Sequence, residues 1–299
     1  MQRSRTEEHA RPPAGGASGI RERLLAGLAV SERRLALAGH RTAVLEGGDG
    51  PPVVLLHGAG EFAASWMRVI PELVAAHRVI VPDLPGHGAS EVSGEPLDIP
   101  GVLAWLGELI ERTCLSPPAL VGHLLGGAVA ARFAIEHPDR LSGLMLVDTY
   151  GLGRFWPTPR YALAMLAFTA RPTEGTQERL FRQCVVDLDG LRKQLGERGQ
   201  LLEAYALDRA QQPTMNAALK HLMPQLGVRA IPPTELARIA VPTTLIWGRH
   251  DRQVRLGLAE AASARYGWPL HVIERAADDP AFEQPEAFLQ ALRVALGSA

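Results

Sequence analysis

The sequence predicts an α/β fold: a mostly parallel, eight-stranded sheet flanked by helices, with a helical cap inserted late in the chain. Two patterns carry that expectation. Short aliphatic and β-branched runs alternate with segments of helical periodicity, as strands buried on both faces of a parallel sheet require. One long interval, 150–238, then shows Leu, Ala and Met at helical spacing with no strand-like run, broken by Pro157, Pro159, Pro172, Pro213 and Pro224. With 299 residues, 46% of them hydrophobic, the chain can bury a substantial core.

Taken in order, residues 1–30 read as a flexible leader and a short helix. The leader is charged and bears Pro and Gly, with too little apolar content to pack. Residues 24–30 could imitate a signal-peptide core, but Glu7, Glu8 and Glu22 precede them, and a short amphipathic helix is the better reading. The core spans 31–149 and 239–299. It opens with a hairpin, 34–38 and 41–45, around Gly39 and His40. Buried strands follow at 53–56, 78–81, 119–121, 141–147, 243–247 and 270–273, with helices near 62–75, 98–113, 126–137, 254–266 and 281–296. Trp66, Trp105, Trp247 and Trp268 read as core. The 150–238 cap should roof a pocket over the carboxyl ends of the strands, where open α/β sheets bind ligands.

Composition narrows the function. With 31 basic and 32 acidic residues, the net charge of -1 gives no broad attraction to nucleic acid or to an anionic membrane. Cys114 and Cys184 are the only cysteines, too few for a disulfide scaffold or a cysteine zinc site. No apolar run is long enough to span a bilayer. No histidine spacing supplies a zinc site, and no glycine-rich phosphate loop is present. The expectation is a cytoplasmic protein that handles a small organic substrate or ligand, without metal, cofactor, nucleic acid or membrane partner. Oligomeric state is not legible.

The chemistry lies in the loops after the strands. His57-Gly58-Ala59-Gly60 follows a buried strand and can aim backbone N–H groups into a cleft, as an oxyanion hole requires. Pro82 to Ser90 forms a tight loop after the next strand. Val121-Gly122-His123-Leu124-Leu125-Gly126-Gly127 makes a strand-to-helix turn among small residues. Trp247-Gly248-Arg249-His250-Asp251 follows a late strand, and Asp278-Asp279-Pro280-Ala281-Phe282-Glu283-Gln284-Pro285 precedes the last helix.

The order and spacing of these motifs resemble the α/β-hydrolase superfamily, in the cap-bearing branch of esterases, lactonases, epoxide hydrolases and C–C hydrolases. The resemblance runs from about residue 31 to 296. It implies a nucleophile, acid and histidine in that chain order. Those roles fall on Leu124, Asp251 and Asp278, so the acid alone is matched. A leucine has no lone pair with which to attack, and no Ser, Asp or Cys lies between Leu120 and Phe133 to replace it. No histidine follows His271. Ordinary serine hydrolysis is therefore not expected. Left-handed backbone at Leu124 would cost on the order of 1–3 kcal/mol.

Asp278, at the histidine position, would lie near Asp251, and two neighbouring carboxylates cannot both ionise cheaply. The pair reads either as a general acid/base or as a structural site neutralised by Arg249, Arg252 or Arg275. The resemblance gives Ala59 and Leu125 as oxyanion-type donors. His57 and His87 are expected to position turns, His123 to pack beneath the elbow, and Asp83 to cap its own loop. Asp148 either lines the pocket or caps a helix. Gly58, Gly60, Tyr150, Phe155 and Trp156 complete the candidates, the aromatic ones either lining the pocket or packing the cap. The reading this supports is a non-hydrolytic small-molecule enzyme performing elimination, isomerisation or cyclisation. The alternatives are a catalytically inactive binding or scaffold protein and a hydrolase that uses carboxylate-activated water.

Overall fold

A computed structural model describes residues 16–93 and 98–297. Helix α1 (Ala17–Leu25) leads into strands β1 (Ser31–Leu37) and β2 (His40–Gly47), which form the expected antiparallel hairpin. Next come β3 (Pro52–Leu56), a short 3-10 turn (Ala63–Trp66), α2 (Ile70–Leu73), β4 (Arg78–Pro82), α3 (Ile99–Thr113), β5 (Ala119–His123), α4 (Leu124–Glu136) and β6 (Gly143–Val147). Six α-helices and one π-helical turn (Met223–Val228) follow without a strand: α5 (Pro159–Ala170), α6 (Glu174–Cys184), α7 (Leu188–Leu195), α8 (Glu197–Ala210), α9 (Pro213–Leu222) and, after the π-helical turn, α10 (Pro233–Leu236). The chain returns through β7 (Thr243–Gly248), α11 (Leu256–Tyr266) and β8 (Leu270–Ile273) to α12 (Pro280–Glu283) and α13 (Pro285–Ala295).

The sheet has eight strands in the order β1-β2-β4-β3-β5-β6-β7-β8. Strand β2 pairs antiparallel to β1 and β4, and every other pairing is parallel. Alternation along a strand sends neighbours to opposite faces. Accordingly Val54 and Leu56 join Trp105, Phe133 and Trp247 in one apolar layer, while Val53 and Leu55 join Trp66 and Phe288 in the other. The apolar runs read at 53–56, 78–81, 119–121, 141–147 and 243–247 supply those covered strands, whereas the run at 270–273 forms the edge strand β8 and is only partly buried.

Three boundaries differ from expectation, each for a local reason. The leader helix starts at Ala17 and stops at Leu25, so most of 24–30 lies beyond it. Leu24 is buried against the cap and Arg21 reaches Glu32 at 2.6 Å and Asp83 at 3.0 Å, so this segment packs despite its charge. Residues 1–15 of the expected leader lie outside the described residues. The stretch 62–75 yields only the 3-10 turn and α2, which begins with Pro71 in its first turn. The terminal stretch divides at Gln284, ahead of Pro285, because proline resists continuing a helix but suits a first turn. Among the described residues no helix is long and apolar enough to cross a membrane.

Candidate active site

The turn from β5 into α4 places Leu124 at φ 45°, in the left-handed region. Packing forces this geometry. A Cβ on Gly122 would stand 2.5 Å from the Gly126 carbonyl oxygen, and one on Gly126 would stand 2.5 Å from that of Leu56. Strand, turn and helix are therefore in backbone contact, and the residue at the apex is pushed out over the sheet. Asp148, at the end of β6, is also left-handed, at φ 42°. Helix α4 begins at the apex, so the Leu125 N–H lies in its first turn, where intrahelical partners are missing. Among the described residues neither that N–H nor the Ala59 N–H is engaged by another group.

The carboxylates do not meet as a simple Asp251–Asp278 pair. Asp251 Oδ1 accepts from the N–H groups of Gln253 (2.6 Å) and Val254 (2.9 Å). Asp148 lies near it, and Asp148 Oδ1 accepts from the Gly248 N–H at 2.9 Å. The second oxygens, Asp148 Oδ2 and Asp251 Oδ2, are buried without a hydrogen-bond partner among the described residues. Burial first, and then the Asp251 charge, push Asp148 well above the usual carboxyl range. Burial lifts Asp251 to about 7 against the pull of its N–H donors.

Asp278 is oriented separately. Gln253 Nε2 donates to Asp278 Oδ2 at 2.7 Å, while Gln253 Oε1 accepts from the Tyr150 hydroxyl. Burial and the nearby Asp251 charge raise Asp278 well above its ordinary pKa, favouring its protonated form. The arginine alternative is absent from the geometry. Arg249 turns outward to Glu274, Arg252 donates to the Gln183 carbonyl at 2.8 Å, and no arginine ion pair to Asp251 or Asp278 forms among the described residues.

His123 does more than pack beneath the elbow. Its Nδ1 lies 3.2 Å from Glu61 Oε2, and its Nε2 meets the Asp278 carbonyl. Both partners accept, so both ring nitrogens donate and the ring is an imidazolium. Burial opposes that charge, but Glu61 outweighs it and raises His123 to about 10. Glu61 in turn accepts from the Gly58 N–H at 2.7 Å, and His123 holds it ionised, below its ordinary pKa, against its own burial. His57 stays neutral: Nδ1 donates to the Gly58 carbonyl at 2.8 Å, Nε2 accepts from the Leu84 N–H at 2.9 Å, and burial keeps its pKa low. Asp83 caps its loop through the Ala89 N–H at 2.7 Å and also holds the Ala63 N–H at 2.6 Å.

Above this floor lies a cavity of about 600 Å³. Ala59, Gly60, Leu124, Tyr150, Phe155 and Asp278 stand in its wall, whereas Leu125, Asp251, His57, Gly58, His123 and Asp148 sit behind it. Trp156 is corrected outright: it projects outward, 59% exposed, beneath the Arg154 guanidinium. The rest of the wall is chiefly apolar cap, including Met165, Phe168, Leu180, Phe181 and Leu202. Sequence reasoning missed Glu61, Gln253 and Asp279, all of which line the cavity. A signal existed for the first two: Glu61 directly follows the His57–Gly60 turn and Gln253 sits two residues past Asp251. Asp279, raised to about 7 by burial, caps α12 through the Phe282 N–H at 3.1 Å.

A parallel sheet with a tight glycine-packed elbow and a helical insert over its carboxyl ends defines an α/β-hydrolase-fold protein. Residues 53–291 match the alpha/beta hydrolase family, and the chain belongs to it. It is 29% identical over 257 residues to the pimeloyl-[acyl-carrier protein] methyl ester esterase of Aeromonas hydrophila, covering 84% of this chain and 97% of that one. It is 30% identical over 222 residues to the 2-hydroxy-6-oxo-6-phenylhexa-2,4-dienoate hydrolase of Comamonas testosteroni, covering 71% and 75%. The solved structure of the enzyme of that name from Rhodococcus sp. strain RHA1 superposes with a TM-score of 0.77 at 26% identity, over 90% of this chain and 99% of the other.

Proposed function

We propose that this protein is a non-hydrolytic enzyme that moves protons on a carbonyl-bearing, largely apolar substrate, by isomerisation, elimination or cyclisation. The observation that carries the reading is the placement of two carboxyl groups, Asp278 with its pKa raised and Glu61 with its pKa lowered, in the wall of one apolar cavity beside Leu124. Two carboxyl groups whose surroundings drive their pKa values apart are suited to opposite roles.

In this reading the substrate carbonyl oxygen accepts from the Ala59 and Leu125 N–H groups, which stabilise charge as it develops there. Glu61 removes a proton from the carbon next to the carbonyl, and Asp278 returns one at the oxygen or at a leaving group. The His123 imidazolium positions Glu61, and the Tyr150–Gln253 chain positions Asp278. The relatives are named as hydrolases. Leu124 offers nothing to carry their chemistry if it stands where a nucleophile would, so hydrolysis is not the activity proposed.

The test is solvent exchange. Medium-chain and cyclic ketones are incubated with the protein in D2O, and loss of the signals next to the carbonyl is followed by proton NMR. Wild type should accelerate exchange, and Glu61→Gln and Asp278→Asn should each return it to background. Exchange in neither wild type nor variants, with ketones still bound in the cavity, would refute catalysis and favour the binding-protein alternative.

A further inference from the structure

Helix α5 presents two apolar faces. Tyr161, Met165, Phe168 and Thr169 line the cavity. At 100° per residue, Ala162, Leu163, Leu166 and Ala170 fall on a different side. That side has no cover among the described residues: Leu163 is 69% and Leu166 66% exposed. Trp156, just ahead of the helix, is exposed as well. Scattered exposed leucines need no explanation, but a contiguous apolar helix face does.

The segment that carries this face has charge of one sign. From Thr149 to Thr173 the sequence contains Arg154, Arg160 and Arg171 and no acidic residue, in a chain whose net charge is -1. All three arginines are exposed, and among the described residues none joins a salt bridge. Arg154 lies 4.7 Å over the Trp156 ring, bringing cation and aromatic together. An apolar stripe with an interfacial tryptophan and a cationic border matches the chemistry of an anionic lipid surface.

We propose that the outer face of α5, with Trp156 and these arginines, docks on an anionic lipid bilayer. The leucines and Trp156 enter the boundary between headgroups and acyl chains, and the arginines meet lipid phosphates. Because the opposite face of the same helix lines the cavity, the docked protein would draw an apolar substrate out of the bilayer past α5; this last point rests on the function proposed above. The near-zero net charge excluded a broad electrostatic attraction, and it conceals this local one.

Cosedimentation of the full-length protein with phosphatidylcholine vesicles, with and without phosphatidylglycerol, tests the surface. Wild type should partition to the anionic vesicles and be released by salt. Replacing Arg154, Arg160 and Arg171 with Gln should weaken partitioning about a hundredfold, roughly fivefold per charge removed. Leu163→Glu/Leu166→Glu should abolish it, with unchanged circular dichroism showing that the variant is folded. No partitioning of wild type, or partitioning that ignores both sets of substitutions, overturns the proposal. So does sedimentation velocity showing a dimer that the leucine variant dissolves, with no vesicle binding, since the face would then meet a second copy. Ketone exchange in D2O is measured in parallel on free protein, so a failure of docking is distinguishable from a failure of the catalytic reading.

Discussion

Asp148→Asn isolates the buried acid pair. In the native protein burial and the neighbouring Asp251 charge favour the protonated form of Asp148, whose Oδ1 accepts from the Gly248 N–H at 2.9 Å. Asparagine supplies the same acceptor and is neutral at every pH, so that hydrogen bond persists without a titrating proton. The unfolded chain releases the Asp148 proton near 3.8, whereas the folded chain retains it to higher pH. A raised acid contributes stability that is present in full below the unfolded value and lost as pH climbs toward the folded one. At pH 7 the cost of holding the proton is therefore at most about 4 kcal/mol, the span from 3.8 to 7 at about 1.4 kcal/mol per unit. Asp148→Asn should match wild type near pH 4 and exceed it at pH 7 by up to that amount. At about 2–4 °C per kcal/mol for a domain of this size, the rise in Tm is readily seen. Thermal unfolding of both proteins from pH 4 to 8 measures it. A variant with the same pH slope as wild type, or one less stable at pH 7, would show that burial does not hold a proton on Asp148.

The remaining expectations concern the floor and the elbow. Asp278→Asn should reduce any turnover by at least about a hundredfold, the ordinary contribution of a positioned acid, while leaving the fold intact; retention of the wild-type rate removes Asp278 from the chemistry. Glu61→Gln leaves the His123 imidazolium without its counter-charge and should cost about 3–5 kcal/mol by chemical denaturation. Because Glu61 must be ionised and His123 protonated, that loss should be largest near pH 5–6 and fade as pH rises toward 10, where wild-type His123 titrates. A pH-independent difference would mean that the pair is not ionic. Gly126→Ala drives a Cβ to 2.5 Å from the Leu56 carbonyl oxygen and should be strongly destabilising or insoluble; a normal Tm would contradict the backbone contact at the elbow. Wild type should take no label from a serine-directed fluorophosphonate, whereas Leu124→Ser combined with Asp278→His should gain activity on activated esters if the cavity retains a hydrolase's geometry.

The sheet was legible because its signal is local. Runs such as Val53 to Leu56 and Leu144 to Val147 are apolar at every position, and only a strand covered on both faces makes that pattern. The helical insert was legible as an absence of such runs. Helix ends were less so, since Pro71 and Pro285 act through one or two backbone bonds that periodicity does not register. The site was readable as a set of loops but not as a set of contacts. Asp251 was expected to lie near Asp278 or an arginine; Asp278 is near it, no arginine ion pair to it forms among the described residues, and Asp148, 103 residues earlier in the chain, is a neighbour the sequence did not announce. His123 meets Glu61 across 62 residues, and nothing near either one announces the partner. Trp156 was left open between lining the pocket and packing the cap, and it lies at the surface while Tyr150 and Phe155 line the cavity.

Leu124 has a further consequence, in the lifetime of charge rather than in its making. The elbow lifts whatever residue it carries to the apex, one residue ahead of Leu125, whose N–H, like that of Ala59, has no partner among the described residues. A hydroxyl there would add itself to any carbonyl those donors hold. A leucine instead covers one face of that carbonyl with hydrocarbon and leaves water no foothold on that side. On the function proposed above, an anion formed at the oxygen would then be shielded from the reaction that would otherwise consume it, and would collapse by moving a proton. On that reading the side chain that offers no nucleophile would protect the intermediate of another chemistry.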